Sequence, residues 1–443
     1  MKSTGWLLLA VLFSATAFSQ DGFHFDKPGR KKVTIPFVLI NNLAIVTLKV
    51  NGTEMNFLLD TGVDETILFS LDDQNKLSLN NIEKIKLRGL GANDAVEGLK
   101  SSHNKMAFPG YTDDDHEIYI VLDQNFNFSA SIGIPVNGIL GYDFFKNNLV
   151  ELNYDRRKIV VHNRESVGIR KKLTKQFKAA DIVIEGHKPY ITADVSIHAD
   201  NFFPAKLLMD SGNTDAVWLF PSKSDKITLP KRRFDDFLGR GLSGDVMGCR
   251  GRIEKFAFNG NEFSNPIGAF PDASSINNIT LATARVGSVG AEIMRRFTII
   301  FDYRDQKIYL RRSNHYHQPF SYNMSGLEVH HEGMSWVQEK VSVEASRKSA
   351  SQTEIEIIPK AFTYKFELKP IFSIANVRKD SPADACGIKK GDILLRINGM
   401  LCYRLTLQEI NTLLKSEEGK TIELEIERTG KPIKFSFKLK NII

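Results

Sequence analysis

The stretch Asn56-Phe57-Leu58-Leu59-Asp60-Thr61-Gly62 decides how this chain is read, because it returns as Ala205-Lys206-Leu207-Leu208-Met209-Asp210-Ser211-Gly212. In both copies an apolar run ends in Asp-Thr/Ser-Gly. A lone ionised carboxylate is costly to bury and tends to protonate instead. Two carboxylates facing one another resolve the problem by sharing one proton. The neighbouring hydroxyl can bond nearby backbone, and the glycine lets the chain turn and approach closely. At average composition such a triplet arises by chance in about one chain in five of this length. The argument therefore rests on the pairing.

The pairing extends well beyond the triplets. Asp60 and Asp210 are separated by 150 positions, and Gly89/Gly239 and Gly91/Gly241 keep that offset. Gly138-Ile139-Leu140-Gly141 matches Gly287-Ser288-Val289-Gly290, and Asn153-Tyr154 matches Asp302-Tyr303, both at an offset of 149. This is an internal duplication, and a period so long means two lobes rather than a solenoid.

The combination resembles the aspartic proteases of the retropepsin and pepsin clan. In that clan each lobe carries Asp-Thr/Ser-Gly, a glycine-containing flap and an apolar-apolar-Gly turn behind the catalytic loop. The resemblance covers about residues 33 to 312 and implies an all-β fold of two retropepsin-like β-barrel lobes related by pseudo-twofold symmetry. It implies Asp60 and Asp210 as the catalytic pair. Thr61, Gly62, Ser211 and Gly212 are then the residues that shape and tie the two loops. Leu140 and Gly141, with Val289 and Gly290, form the supporting turns, and Gly89, Gly91, Gly239 and Gly241 lie in flaps over bound substrate. Those flap glycines read equally well as ordinary loop punctuation. Neither a metal nor an organic cofactor is expected, and since one chain supplies both aspartates the implied state is a monomer. The second copy also departs from the first. Val63 and Asp64 give way to Asn213 and Thr214, and Ser288 takes an apolar position of the supporting turn. Either the second half is adapted for geometry or it is drifting from activity.

The rest of the chain divides by composition. Residues 1–19 hold an early lysine, an apolar run from Trp6 to Phe13 and small residues up to Ser19. This is the pattern of a secretory signal peptide and implies export to a periplasm or the exterior. No later stretch is long and apolar enough for a membrane helix. Residues 32–163 read as the first lobe, with strand-like runs at Thr34–Ile40, Leu43–Val50, Glu117–Leu122 and Lys158–His162 and a hairpin turn at Asn51-Gly52. Residues 164–180 read as a basic connector, 181–312 as the second lobe and 313–361 as a polar linker. The net charge of +7 is spread over 59 basic and 52 acidic residues with no basic stripe interleaved with aromatics, which argues against nucleic acid. The three cysteines allow at most one internal bridge, with Cys386 and Cys402 the nearest pair. His315, His317, His330 and His331 lie close in sequence, but no spacing fixes them on one face as metal ligands.

Residues 362–441 form a third unit. Ser381-Pro382-Ala383-Asp384-Ala385-Cys386-Gly387-Ile388-Lys389-Lys390-Gly391-Asp392 through Asn398-Gly399 resembles the PDZ domains attached to bacterial proteases. Downstream, Thr406 and Glu409 form a capping box for a helix with Leu407, Ile410, Leu413 and Leu414 on one face. Ile422, Leu424 and Ile426, then Ile433, Phe435, Phe437 and Leu439, alternate as two strands. The resemblance implies peptide binding along Phe372, Ser373 and Ile374, and capture of protein C-termini if a backbone nest precedes them. The preceding Leu368-Lys369-Pro370-Ile371 has no glycine, leaving a packing or gating role open. Two functions compete: an aspartic endopeptidase acting on peptide or unfolded protein, and a peptide-binding scaffold with degenerate protease lobes.

Overall fold

The computed structural model describes residues 22–69, 77–87, 96–122, 128–198, 202–241, 244–277, 280–342 and 362–443. The expected signal peptide, Gly89 and Gly91 lie outside the described residues. The described strands form four sheets, of nine, six, ten and six strands. The protein is all-β, as its alternating β-branched and aromatic runs require.

Each lobe is built on one large sheet. In the first, Leu43–Val50 and Thr53–Leu59 pair antiparallel across Asn51-Gly52. Both turn residues have positive φ, 47° and 90°, the geometry an Asn-Gly hairpin is suited to. Lys188–Ser196 and Phe202–Asp210 repeat the hairpin in the second lobe. The lobes are welded by the six-stranded sheet, in which Leu149–Asn153 pairs with Phe297–Asp302. Val150, Leu152, Ile299 and Phe301 bury their side chains in a core shared by both lobes.

Three boundaries differ from the sequence expectation. The run Thr34–Ile40 splits at Pro36: Lys32–Pro36 joins the interlobe sheet, and Val38–Ile40 pairs within the first lobe. The first lobe also starts earlier than residue 32, because His24–Phe25 pairs with Tyr111–Val121 and Phe23 is fully buried against Phe108, Tyr111 and Phe144. In the stretch 313–361, the described residues 313–342 are not a simple linker. Leu327–Ser342 is a strand paired with Phe362–Val377, and Tyr322, Met324, Leu327 and Val329 are buried in the core of the third unit. The connector itself carries a helix, Val167–Gln176, and a strand, Lys178–Asp181, that extends the interlobe sheet.

The third unit has strand order Leu327–Ser342, Phe362–Val377, Ile393–Ile397, Thr421–Arg428, Lys431–Lys438, with the capped helix Leu407–Leu414 packed on it. The capping box is present as expected, with Thr406 Oγ1 accepting from Glu409 N at 3.2 Å and Glu409 Oε2 accepting from Thr406 N at 2.7 Å. The unit docks on the second lobe, where Tyr322 meets Phe234 at 5.2 Å between ring centroids and Ile267 joins its core. No cysteine bridge forms among the described residues: Cys249, Cys386 and Cys402 are free, and Cys386 Sγ instead donates to the Ser436 carbonyl. No helix among the described residues is long and apolar enough to cross a membrane.

Candidate active site

The strands Thr53–Leu59 and Phe202–Asp210 run towards each other and deliver Asp60 and Asp210 to the floor of one cleft of about 1570 Å³. The loops are locked reciprocally. Thr61 N donates to Ser211 Oγ at 3.0 Å, and Ser211 N donates to Thr61 Oγ1 at 3.0 Å. Each hydroxyl then donates across to the opposite strand end, Thr61 to the Met209 carbonyl at 2.7 Å and Ser211 to the Leu59 carbonyl at 2.9 Å. Thr61 and Ser211 are both buried, so these four bonds satisfy groups that would otherwise be costly to bury.

Behind each loop lies the expected turn. Gly138–Leu140 runs parallel to Thr53–Leu59, and Asp60 N donates to the Leu140 carbonyl at 3.0 Å. Arg285–Gly290 runs parallel to Phe202–Asp210, placing Gly290 beside Asp210. A Cβ on Gly141 would lie 2.5 Å from the Val63 carbonyl oxygen, and one on Gly290 would collide with the Asp215 carbonyl. Only glycine permits the turn to pass this close.

Asp60 Oδ1 accepts from Gly62 N at 2.7 Å and from Gly212 N at 3.1 Å, and Asp60 and Asp210 hydrogen-bond to one another. Burial, then the charge of Asp210, pushes the Asp60 carboxyl up to about 7. Burial also raises Asp210, opposed by the Arg285 guanidinium. The two are one coupled system, whose protons belong to the pair and not to either residue.

Arg285 was not singled out by sequence reasoning, and it accounts for Ser288. The Arg285 guanidinium is buried against the Phe220 ring, with Nε donating to the Gly287 carbonyl at 3.1 Å and Nη2 to Ser288 Oγ at 2.9 Å. The apparent defect in the second turn is the acceptor for a buried cation. Its trace in the sequence was a charged residue at the head of an apolar strand. Across the cleft Lys188 pairs with Asp64 at 2.5 Å and also lowers Asp60.

Gly239 and Gly241 sit at the tip of the hairpin Arg233–Gly241 and Gly244–Arg252, where they line the cleft with Phe237 and Leu238. This flap is tied down at its base. Arg250 bridges Asp236 at 2.7 Å and Asp215 at 2.5 Å, Asp215 accepts from Trp218 Nε1, and Arg378 of the third unit stacks on Phe234 at 4.1 Å. The corresponding hairpin of the first lobe, Ile82–Leu87 and Val96–Phe108, is present on either side of Gly89 and Gly91.

Phe372, Ser373 and Ile374 are not at a binding edge. They lie in a strand paired on both sides, Ser373 facing His330 on one and Ile393 on the other, and all three are buried. A peptide can add only to an unpaired edge, and among the described residues the edges of this sheet are Leu327–Ser342 and Lys431–Lys438. Leu368-Lys369-Pro370-Ile371, where a nest was sought, is continuous strand. The four histidines take separate partners: His315 with Asp155, His317 with Tyr316, His330 with Glu328 and His331 with Phe372. A further cluster, Thr66 Oγ1 to His116 at 2.7 Å and His116 to Asp113 at 2.7 Å, has the residue types of a nucleophile relay, but all three are buried beyond reach of substrate.

Residues 46–144, which include Asp60, match the family model described as aspartyl protease, and residues 373–428 match the PDZ domain model. The chain joins an aspartyl protease-like domain to a PDZ domain. Among solved structures it is similar to the aspartic proteinase from Irpex lacteus, with 12% sequence identity and a TM-score of 0.42 over 64% of this chain and 98% of that one.

Proposed function

We propose that the chain is an aspartic-type endopeptidase that hydrolyses extended peptide or unfolded protein with a water held between Asp60 and Asp210. One observation carries this reading: the Thr61–Ser211 lock fixes two carboxylates in mutual hydrogen-bond contact on the floor of a long cleft. Arg285 favours the negative charge on Asp210, while burial and that charge favour the proton on Asp60. Asp210 therefore takes a proton from the water as its oxygen attacks the peptide carbonyl, and Asp60 gives its proton to the carbonyl oxygen. Collapse of the resulting diol breaks the C–N bond as the amine leaves with the proton held by Asp210, while a diol hydroxyl returns its proton to Asp60 and becomes the carbonyl of the acid product, so the pair again holds one proton.

The flap around Gly239 and Gly241 supplies backbone groups for an extended substrate, and the PDZ domain supplies a further peptide surface. The amino-terminal composition of residues 1–19 supports export, to a periplasm or the exterior. Both aspartates come from one chain, which supports a working monomer.

The test is cleavage of a denatured protein from acidic to neutral pH, beside Asp60→Asn and Asp210→Asn. Activity lost in both variants is the expected result. Cleavage that survives either substitution, or an unmutated chain that cuts nothing across the range, would remove the peptidase reading.

A further inference from the structure

The helix Leu407–Leu414 of the PDZ domain has two faces with different destinations. Leu407, Ile410 and Leu414 are buried in the core of that domain. Gln408, Asn411, Thr412 and Lys415, at i, i+3, i+4 and i+7, line the same cavity as Asp60 and Asp210. The polar face of this helix is therefore one wall of the catalytic cleft. The first lobe meets the helix at its opposite end, where Gly133 lies against Leu407. Eight residues of helix rise about 12 Å, so that contact leaves the end at Lys415 facing the cavity.

This end is held in place. Met324 N donates to the Leu414 carbonyl at 3.2 Å, and Lys415 N donates to the Asn411 carbonyl at 3.1 Å. The domain is anchored to the second lobe by Arg232 and Arg252, whose Nε atoms donate to the Ile442 and Ile443 carbonyls at 3.2 and 3.3 Å.

Of the four cavity-facing residues only Lys415 carries charge. The charges that act on it most are Asp215 and Glu292, which attract it, and Arg250 and Arg295, which repel it. All four are already engaged: Arg250 bridges to Asp215, and Arg295 pairs with Glu292 at 2.8 Å. These two pairs cancel in formal charge. The Lys415 ammonium makes no ion pair or side-chain hydrogen bond among the described residues, so it is the unbalanced charge of this corner. Its side chain is open to the cavity, yet the protein around it displaces enough bulk water to lower the ammonium from the usual lysine range. A cation partly stripped of water attracts an anion more strongly than one in bulk solvent. The corner adjoins the second catalytic loop, because Asp215 follows Asp210 on that loop and Glu292 follows Gly290, which is aligned with Asp210.

We infer that Lys415 is a specificity-determining residue of the cleft, placed there by the PDZ domain, and that it takes a carboxylate of the bound polypeptide, on an acidic side chain or at a chain end. The polypeptide as ligand rests on the peptidase reading above; the carboxylate follows from the unbalanced ammonium. Asp or Glu pairs with it, Asn or Gln of the same size forgoes the charge, and Lys or Arg is repelled. The PDZ domain then acts by completing the cleft. A lysine at a helix C-terminus also complements the helix dipole, a role that shows in stability and leaves selectivity untouched.

The experiment uses the full chain and peptide libraries in which one position at a time is Asp/Glu, Asn/Gln or Lys/Arg. Each is prepared with both termini blocked and again with a free C-terminal carboxylate, and cleavage is read by position. The unmutated chain is expected to favour a carboxylate at one position by about tenfold, and by less at high salt. Lys415→Gln is expected to abolish that preference, Lys415→Glu to turn it towards Lys and Arg, and Lys415→Arg to retain it. A preference present in blocked peptides assigns the carboxylate to a side chain, and one confined to free C-termini assigns it to a chain end. No such preference in the unmutated chain, or one unchanged in Lys415→Gln and Lys415→Glu, overturns the inference. Retention of the same libraries on the chain carrying Asp60→Asn separates the two readings. Peptides cut with no dependence on Lys415 overturn this inference alone, and acidic peptides held through Lys415 but never cut by the unmutated chain overturn the peptidase reading alone.

Discussion

The two halves of the site share a backbone and differ in charge. In the first lobe the supporting turn is Ile139-Leu140-Gly141, apolar on its way to Asp60. In the second it is Ser288-Val289-Gly290, carried on a strand that opens with buried Arg285. The hydrogen bonds of the lock are near mirror images, 3.0 Å in both directions. Duplication therefore kept what positions the carboxylates and changed what surrounds them. A symmetric pair has no reason to place its shared proton on one side. The buried Arg285 guanidinium, whose charge acts on Asp210, gives it that reason, and burial strengthens the effect because little water is present to screen it. Of the departures in the second copy, Ser288 is accounted for by this cation, since its hydroxyl accepts from the Arg285 guanidinium.

The largest effect expected of any single change is loss of either carboxylate. On the peptidase reading proposed above, Asp210→Asn removes the base and Asp60→Asn the acid, and each is expected to cost about 10²–10⁴ in kcat/KM. Equal losses would say the halves are equivalent in consequence though not in surroundings; a large loss from one alone would break the pairing outright. The next largest belongs to Arg285→Met. Without the cation Asp210 ionises less readily, so the acid limb of the pH profile moves to higher pH by about one unit. Arg285→Lys keeps the charge and is expected to restore most of the shift. A profile that loses amplitude but stays in place would reduce Arg285 to a packing role.

Stability sharpens the contrast differently. The Asp60 carboxyl titrates near 7 in the folded chain and near 3.8 when exposed, so between those values the folded state binds more protons than the unfolded one. Stability then falls as pH rises through that window. Asp60→Asn removes the penalty, and its Tm at pH 8 is expected to exceed that of the unmutated chain by a few degrees, roughly the effect of 1 kcal/mol in a chain of this size. At pH 4 the difference should close, since both forms are then neutral. An equal gap at the two pH values would mean that the substitution acts through packing.

How much of this was legible beforehand depends on whether the signal was local. The triplets, the two glycine turns, the Asn51-Gly52 hairpin and the Thr406–Glu409 cap are short-range patterns, and each lies where the sequence put it. The edge strand of the PDZ domain was missed because its alternation breaks. Leu327 and Val329 face the core, but an irregularity between His331 and Met334 shifts the register and leaves Met334 and Trp336 exposed. Read without that irregularity, the stretch has no period and resembles a linker. Phe372-Ser373-Ile374 misled for another reason: a run of strand formers does not say whether its edges are paired, which only sheet order decides. Arg285 was hidden because a charged residue in an apolar run has no local meaning until its acceptors, Gly287 and Ser288, are folded back around it.

The smallest effect tests the comparison most closely, because it concerns the first lobe's own counterpart to Arg285. Lys188 lowers Asp60 as Arg285 lowers Asp210, but Lys188 is about a third exposed and already paired with Asp64. An ion pair presents little net charge to a third group, and what remains is screened by water and salt. Lys188→Met should therefore raise the group that holds the proton and move the basic limb of the profile upward by only about 0.3 unit, less at high ionic strength. Arg285→Met moves the acid limb and keeps its effect in salt. If the two substitutions moved the same limb, or if Lys188→Met moved it as far and as independently of salt, the two lobes would be electrostatically alike and the placement of the proton on Asp60 would need another cause.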